Sequence, residues 1–315
     1  MVLPKPISSV STATESEDES TGLFVSILQA LRVHQWIKNV LVFVPLLMAH
    51  KVLDINELKL AVLGFVAWCC CASGVYLLND LFDLETDRSH PRKKKRSIAS
   101  GRVDPKIAWV LLSLLIAAGM SIASLLLPVS FAITLLIYVG LTTAYTVGLK
   151  QLLIIDVLML AGFYTLRVIS GGFATGIYVS PWLLSFSMFL FLNLAFVKRY
   201  TELSSTISEN RIGVSRRGYT THDMEFLKTI GPASGYLSVL VLALYINSRE
   251  VSVLYRKPTV LWLIGPLLFY WITRVWLLAH RGQMDEDPIV FTIKDPTSYV
   301  VGALTAVVIV VATLW

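Results

Sequence analysis

The stretch between Lys106 and Lys150 reads IAWVLLSLLIAAGMSIASLLLPVSFAITLLIYVGLTTAYTVGL and contains no charged residue. A single helix of this length would be roughly twice as long as the hydrocarbon layer of a bilayer is thick. The stretch is therefore predicted to cross a membrane twice. Pro128-Val129-Ser130 supplies the turn, because proline interrupts a helix. This pattern sets the fold class as an all-α integral membrane protein.

The rest of the chain repeats this apolar pattern. Of the 315 residues, 55% are hydrophobic and 15% are charged, whereas soluble proteins carry roughly 25% charged residues. An ordinary soluble enzyme, a disordered protein and a disulfide scaffold are thereby excluded. Nine transmembrane helices are predicted, at 36–53, 58–79, 107–127, 130–148, 152–172, 180–197, 228–247, 258–280 and 298–315.

The first 22 residues differ in composition from the remainder. The run from Ser8 to Thr21 is polar and acidic, so residues 1–22 are expected to form a disordered tail. Residues 23–315 are expected to form one nine-helix transmembrane domain.

The basic residues are distributed unevenly between the predicted loops. Of the 27 lysines and arginines, five fall on one side of the membrane, two fall inside helices, and all others fall on the N-terminal side. The positive-inside rule then predicts a cytoplasmic N-terminus in a multi-pass protein of the inner (plasma) membrane. Because topology accounts for the net charge of +6, nucleic acid is not expected as a partner. The five are Lys51, Lys59, Arg249, Arg256 and Lys257, and the two are Arg167 and Arg274.

The second predicted helix ends in an acidic run, LNDLFDLETD at 78–87. Asp80, Asp83 and Asp87 are spaced so that a continued helix would carry all three on one face. Clustered carboxylates repel each other, and Mg²⁺ typically binds through one or two carboxylates together with substrate phosphates. The alternative is a solvated helix end neutralised by the basic run 92–96.

Four other predicted helix ends place basic and polar side chains on the same side. The start of helix 1 brings Lys38, and helix 5 opens with Asp156 and carries Arg167 on the same face. A structural link between Arg167 and Asp156 is left open, as is a membrane-anchor role for the lysine and arginine at the end of helix 6. The ends of helices 4 and 6 bring Tyr145, Lys150, Lys198, Arg199 and Glu202. Together these residues predict a pocket for a magnesium diphosphate and further phosphate groups.

The motif Asn79-Asp80-x-x-Asp83-x-x-x-Asp87 at the end of helix 2, in a nine-helix chain, resembles the UbiA-type membrane prenyltransferase superfamily from about residue 30 to 315. Several further motifs are similar to one branch, the decaprenyl-phosphate phosphoribosyltransferases. They are Gln35-Trp36-Ile37-Lys38-Asn39 with Phe43-Val44-Pro45, the series Tyr145, Lys150, Asp156 and Arg167, the run FVKRYTE at 196–202, and RGQMDEDPIVF at 281–291.

The resemblance implies a UbiA-like bundle with an active-site cavity on the cytoplasmic side. It implies Mg²⁺-dependent transfer of a 5-phosphoribosyl group from phosphoribosyl pyrophosphate to decaprenyl (polyprenyl) phosphate, toward lipid-linked arabinose for cell-wall arabinan. Asp80 and Asp83 would hold the metal and act catalytically, and Asp156 would bind a ribose hydroxyl or stabilise positive charge at C1. Substrate-binding roles are implied for Lys38, Asn79, Asp87, Tyr145, Lys150, Arg167, Lys198, Arg199 and Glu202.

Two other functions compete with this interpretation. A prenyltransferase acting on an aromatic acceptor would share the fold and the first motif, but members of that kind carry a second aspartate-rich motif where this chain has Lys198-Arg199-x-x-Glu202. A transporter or channel would need charged residues near the bilayer midplane and a path between both faces. A homo-oligomer is left open as a further partner.

Overall fold

The computed structural model describes residues 22–89, 93–208, 218–284 and 287–315, so nearly all of the predicted N-terminal tail lies outside the described residues. Within this part, eight helices are long and apolar enough to span a bilayer. We number them in chain order as α1 Ile55–Phe82, α2 Pro105–Leu126, α3 Val129–Val147, α4 Ile155–Thr175, α5 Pro181–Ser208, α6 Met224–Ile246, α7 Ile264–His280 and α8 Pro296–Leu314.

The first of the nine predicted spanning helices, 36–53, is not a long α-helix in the structure. Here a 3₁₀ helix, Val33–Phe43, leads into a short α-helix, Val44–Met48, that has a proline in its first turn. The segment lies directly against α4, because a Cβ atom on Gly171 would lie 2.0 Å from the backbone oxygen of Val42. The prediction is thus confirmed for eight helices, while the first apolar segment is shorter and differently wound.

The turn at Pro128 is confirmed. Helix α2 ends at Leu126, and Pro128 caps the start of α3. Helix α2 is mostly exposed along its length although it is strongly apolar, with Leu114 and Leu125 among its exposed side chains. An exposed apolar face on a long helix is what contact with lipid requires.

Four hydrophobic clusters form the core of the described residues, and α4 contributes to the two largest. Trp68 and Phe131 lie in a cluster built by the N-terminal half, while Trp271 and Trp276 lie in a cluster built by the C-terminal half. Helix α4 is therefore the central helix of the bundle. Its polar side chains are consequently held in the protein interior and away from lipid.

Consecutive spanning helices alternate in direction, so the C-termini of odd-numbered helices and the N-termini of even-numbered helices share one end of the bundle. Ion pairs join the end of α1 to the end of α3, and the start of α4 to the C-terminal half of α5. We call this end the site end. The expected juxtaposition of distant motifs is found there.

Candidate active site

Asp80 lies on the last turn of α1 and contacts two guanidinium groups. Arg32 is 2.6 Å from its Oδ1 atom and Arg96 is 3.0 Å from the same atom. Arg96 also bonds Asp87 Oδ2 at 2.6 Å, so one arginine bridges two of the predicted acids. Asp87 is only 1% exposed, and its Oδ1 atom has no hydrogen-bond partner among the described residues. These acids form a buried, charge-paired cluster and not a solvated helix end.

Asp83 has a different ion-pair partner from the other two aspartates of the motif. Helix α1 ends at Phe82 and a short helix, Leu84–Ser89, follows. Lys150 reaches from the end of α3 to Asp83 and lies 2.9 Å from Oδ1. Asn79 is half-buried one turn earlier, where its carbonyl accepts the Asp83 amide. Asp80 and Asp87 thus share Arg96, whereas Asp83 contacts Lys150.

This arrangement limits how a divalent cation would bind. Within the described ranges, no group of three or more histidine, cysteine or acidic side chains is placed to hold a metal ion. The carboxylates of Asp80 and Asp83 nevertheless suit Mg²⁺ chemically, since that ion commonly takes one or two carboxylates and completes its shell with water and substrate phosphate. The donor set fits a magnesium ion that arrives with a diphosphate better than one held by protein alone.

Asp156 and Arg199 form the most deeply buried ion pair of the site end. Asp156 is 0% exposed and Arg199 is 1% exposed, and Arg199 Nε lies 2.5 Å from Asp156 Oδ2. Arg199 also forms a close ion pair with Glu202 and lies within 3.4 Å of the Tyr145 hydroxyl. The guanidinium is thus flanked by two carboxylates. It is not free to bind a phosphate in this state.

Lys38 and Lys198 lie near a third carboxylate, that of Asp287. The Lys38 ammonium is 2.6 Å from Asp287 Oδ2, and it projects from the middle of the 3₁₀ helix rather than from a helix start as expected. Lys198 is half-buried and, within the part of the chain that the structure describes, its ammonium makes no hydrogen bond or ion pair. It interacts electrostatically with the charges of Lys38, Asp287, Glu202 and Arg199. Lys198 is the cation best placed to receive an anion.

Burial would raise the pKa of Asp287, but the Lys38 and Lys198 charges and the Lys38 hydrogen bond lower it to about 2, below its ordinary value of 3.8. A carboxyl whose pKa is lowered by folding stabilises the folded state above its unfolded pKa and loses that contribution as the pH falls toward its folded pKa. We therefore expect wild type and Asp287→Asn to differ in melting temperature by a constant amount above about pH 5, and the difference to shrink between about pH 4 and 2. Thermal unfolding in detergent across this range measures it. A difference that shrinks near pH 6 would contradict the assignment.

Arg167 lies on the same helix as Asp156 but does not contact it. Its Nε donates to Asn39 at 2.8 Å, and its Nη atoms donate to the Phe163 carbonyl at 2.6 Å and the Tyr138 hydroxyl at 3.3 Å. The guanidinium also lies over the Trp68 ring, 4.6 Å from its centroid. At 3% exposed, Arg167 is braced by amide, carbonyl and aromatic groups. These contacts fit a structural role better than the predicted phosphate contact.

Several residues of this network were not found by sequence reasoning. Arg32 lies before the first apolar run, and no motif marks it. Asp287 and Tyr219 were visible only as members of longer motifs or loops. Tyr219 donates to Asp156 at 2.9 Å. The sequence did contain one general signal for these residues. Each acid buried in a membrane protein requires a partner, so every predicted buried aspartate implied a cation or hydrogen-bond donor elsewhere in the chain.

The sequence profile described as the UbiA prenyltransferase family matches residues 40–294, which is most of the chain. This protein belongs to the UbiA prenyltransferase family. Solved structures of family members agree: a UbiA homolog from Archaeoglobus fulgidus bound to GPP and Mg²⁺ superposes with a TM-score of 0.65 at 16% identity, covering 90% of this chain and 97% of that one. The eight spanning helices are thus a UbiA-like fold in a multi-pass membrane transferase.

Sequence relatives of this UbiA-family protein include the following three. It is 38% identical over 287 residues to the uncharacterized protein y4nM of Sinorhizobium fredii, which covers 90% of this chain but only 55% of that relative, so the chain spans about half of its length. It is 32% identical to the nodulation protein NoeC of Azorhizobium caulinodans, covering 88% of this chain and 90% of the relative. It is also 33% identical over 233 residues to the decaprenyl-phosphate phosphoribosyltransferase of Mycolicibacterium smegmatis, covering 73% and 72%.

Proposed function

We propose that this protein transfers a 5-phosphoribosyl group from phosphoribosyl pyrophosphate to a polyprenyl phosphate such as decaprenyl phosphate, releasing pyrophosphate. The observation that carries the proposal is the Lys198 ammonium in the C-terminal half of α5, which has no ion-pair or hydrogen-bond partner among the described residues and lies beside the Lys38–Asp287 pair. Helix α5 contains one acid, Glu202, and this is bound to Arg199. This side of the site therefore suits a phosphate group rather than a second metal ion.

The donor and the acceptor together explain the distribution of charge. Phosphoribosyl pyrophosphate carries a diphosphate and a separate 5-phosphate, and the lipid acceptor adds one more anion. The site end supplies an acid-rich side around Asp80 and Asp83 and a base-rich side around Lys38 and Lys198. Similarity to the decaprenyl-phosphate phosphoribosyltransferases supports the same donor. A single prenyl diphosphate would leave the base-rich side without a ligand.

The acids on the first side would hold Mg²⁺ through Asp80 and Asp83, and the ion supplies charge neutralisation of the pyrophosphate when it is bound. To bind it, these carboxylates must give up their present partners. Arg32 and Arg96, which now contact Asp80, and Lys150, which now contacts Asp83, would be displaced. The released cations then face the incoming diphosphate. We infer that these residues exchange an internal carboxylate for a substrate phosphate on binding.

The reaction itself is a substitution at the anomeric carbon. An oxygen of the lipid phosphate forms a bond to ribose C1 while the bond from C1 to the pyrophosphate oxygen breaks, and the electron pair leaves with pyrophosphate. The attacking phosphate is already anionic near neutral pH, so the chain need not supply a general base. Lys198 would hold the 5-phosphate, and Glu202 would orient a ribose hydroxyl. We place this chemistry on the cytoplasmic side, where the basic residues collect.

Purified protein in detergent with labelled phosphoribosyl pyrophosphate, polyprenyl phosphate and Mg²⁺ tests this proposal. Labelled lipid should appear in the organic phase together with free pyrophosphate, and it should require the lipid acceptor. The control replaces the acceptor with the uncharged polyprenol. Label recovered only as free ribose 5-phosphate, or no reaction with this donor, would refute the proposed transfer.

A substitution of Arg167 distinguishes a structural role of this residue from a role in binding the donor. Arg167→Lys keeps the charge but loses the planar fork that contacts Asn39, Phe163 and Tyr138. We expect a loss of about 2 kcal/mol or more of stability from these buried, charge-assisted bonds. The KM for phosphoribosyl pyrophosphate should change by less than about twofold, because a brace does not contact the donor. A tenfold rise in that KM with an unchanged melting temperature would restore the donor-binding role.

A further inference from the structure

Tyr219 joins two parts of the site end that are far apart in sequence. It lies between α5 and α6 in the sequence, and its side chain is buried. Its hydroxyl accepts the backbone N–H of Ile154 at 3.1 Å and donates to Asp156 Oδ1 at 2.9 Å. A phenol has one hydrogen and can accept as well, so both bonds are made at once. Tyr219 thereby ties the chain before α4 to the first turn of α4.

The backbone that Tyr219 contacts is in a rare conformation. Ile154 has φ 66° and ψ −42°, and the Ile155 amide bonds the Leu153 carbonyl at 2.7 Å. This is a classic γ-turn, which is rare and strained, and a positive φ is an outlier for a β-branched residue. Such conformations persist only where the surroundings over-determine them. The Tyr219 hydroxyl is one of the groups that fix this turn.

Gly218 allows the backbone next to Tyr219 to approach the turn before α4 closely. It has φ 74°, and a Cβ atom on it would lie 2.7 Å from the backbone oxygen of Gln151. Both the conformation and the contact require glycine. The segment that carries Tyr219 therefore packs backbone against backbone onto the turn before α4.

The consequence falls on Asp156, whose two carboxylate oxygens are both engaged. Oδ1 accepts from Tyr219 and Oδ2 lies 2.5 Å from Arg199 Nε. With no exposed surface, the carboxylate has no free face for a substrate. Its fixed charge instead aims Arg199, which holds Glu202 and contacts Tyr145. Asp156 thus acts through Arg199 rather than at the ribose.

We propose that Tyr219 is a positioning residue for the transfer reaction: through Asp156 and Arg199 it sets the geometry of Glu202 and Tyr145 at the site. This inference rests on the proposed function for its kinetic consequence. Small displacements of groups that orient a substrate reduce turnover strongly. Removing the hydroxyl should therefore affect kcat and leave donor affinity intact.

The kinetic test compares Tyr219→Phe with Tyr200→Phe, a matched control. Tyr200 is also buried at the site end, but its hydroxyl bonds His280 and does not contact Asp156. Tyr219→Phe should lower kcat about tenfold with the KM for phosphoribosyl pyrophosphate within about twofold of wild type, whereas Tyr200→Phe should leave kcat unchanged. Adding Tyr219→Phe to Asp156→Asn should cause no further loss, because both changes break one chain of contacts. Wild-type kcat in Tyr219→Phe, or fully additive losses, would overturn the inference.

Amide hydrogen exchange across residues 149–156 needs no substrate and separates the two proposals. Exchange of the Ile154 amide should be at least about tenfold faster in Tyr219→Phe and unchanged in Tyr200→Phe. Unchanged exchange in both variants overturns the role of Tyr219 whatever the enzyme does. Faster exchange with normal kcat makes Tyr219 structural alone and also overturns the inference. Wild-type protein that forms no phosphoribosyl lipid refutes the proposed function, while exchange still decides whether Tyr219 fixes the turn.

Discussion

Asp80→Ala and Asp83→Ala should each reduce phosphoribosyl transfer by roughly a thousandfold, because metal neutralisation of a leaving group contributes several kcal/mol to the transition state. Asp80 lies on the last turn of α1 and Asp83 directly follows that helix, and they face separate cations, so neither substitutes for the other. Excess chelator should abolish the activity of wild type. Initial rates with labelled donor, at several Mg²⁺ concentrations, measure the effect.

Glu85→Ala is the matched control for this prediction. Glu85 belongs to the same acidic run but pairs with Arg88 on the exposed surface. Its removal should leave the rate and the Mg²⁺ dependence unchanged. Melting temperatures of the aspartate variants are measured alongside, to establish whether they are folded. Full activity of Asp83→Ala, or of wild type in excess chelator, would remove the metal from the mechanism.

Lys198→Ala should weaken phosphoribosyl transfer by at least about tenfold, or roughly 1.4 kcal/mol of transition-state binding. The same change should not destabilise the protein, because Lys198 is a half-buried cation without an ion-pair partner in the described ranges. Groups held unpaired for a ligand reduce stability, and removing them commonly increases it. The kcat/KM for phosphoribosyl pyrophosphate and the melting temperature are measured on one preparation.

Two variants show whether this effect belongs to the site. Lys228→Ala removes a partly exposed lysine at the start of α6 that pairs with Glu225, and it should change neither quantity. Arg199→Ala should lose both activity and stability, since it leaves the buried Asp156 without its cation, at a cost of about 3–5 kcal/mol. If Lys198→Ala lowers the melting temperature and keeps wild-type kcat/KM, Lys198 is structural and the phosphate assignment fails.

The spanning helices were predictable from sequence because each depends on a local property, a long apolar run. The stretch between Lys106 and Lys150 divides at Pro128 as expected. The segment at 33–48 was harder, because its winding depends on close contact with Gly171, far away in sequence. Local patterns specify a helix, and tertiary contacts decide how it is wound.

The site was predictable as a collection of residues but not as a set of pairs. Sequence placed Lys38 and Asp287 in separate motifs, yet 249 positions apart they form one ion pair. Arg167 and Asp156 share one helix face, which suggested an ion pair. In the structure the Arg167 guanidinium instead bonds the Asn39 amide and lies over the Trp68 ring. Helical spacing gives the direction of a side chain, whereas its partner is set by helices that spacing does not describe.

Donor choice tests the central claim most directly. Purified wild-type protein with Mg²⁺ is given phosphoribosyl pyrophosphate with polyprenyl phosphate in one reaction, and a prenyl diphosphate with an aromatic acid in another. We predict phosphoribosylated lipid and pyrophosphate in the first reaction and no prenylated aromatic acid in the second. Prenylated aromatic product in the second reaction, with no phosphoribosylated lipid in the first, would contradict the account and leave the family and the fold.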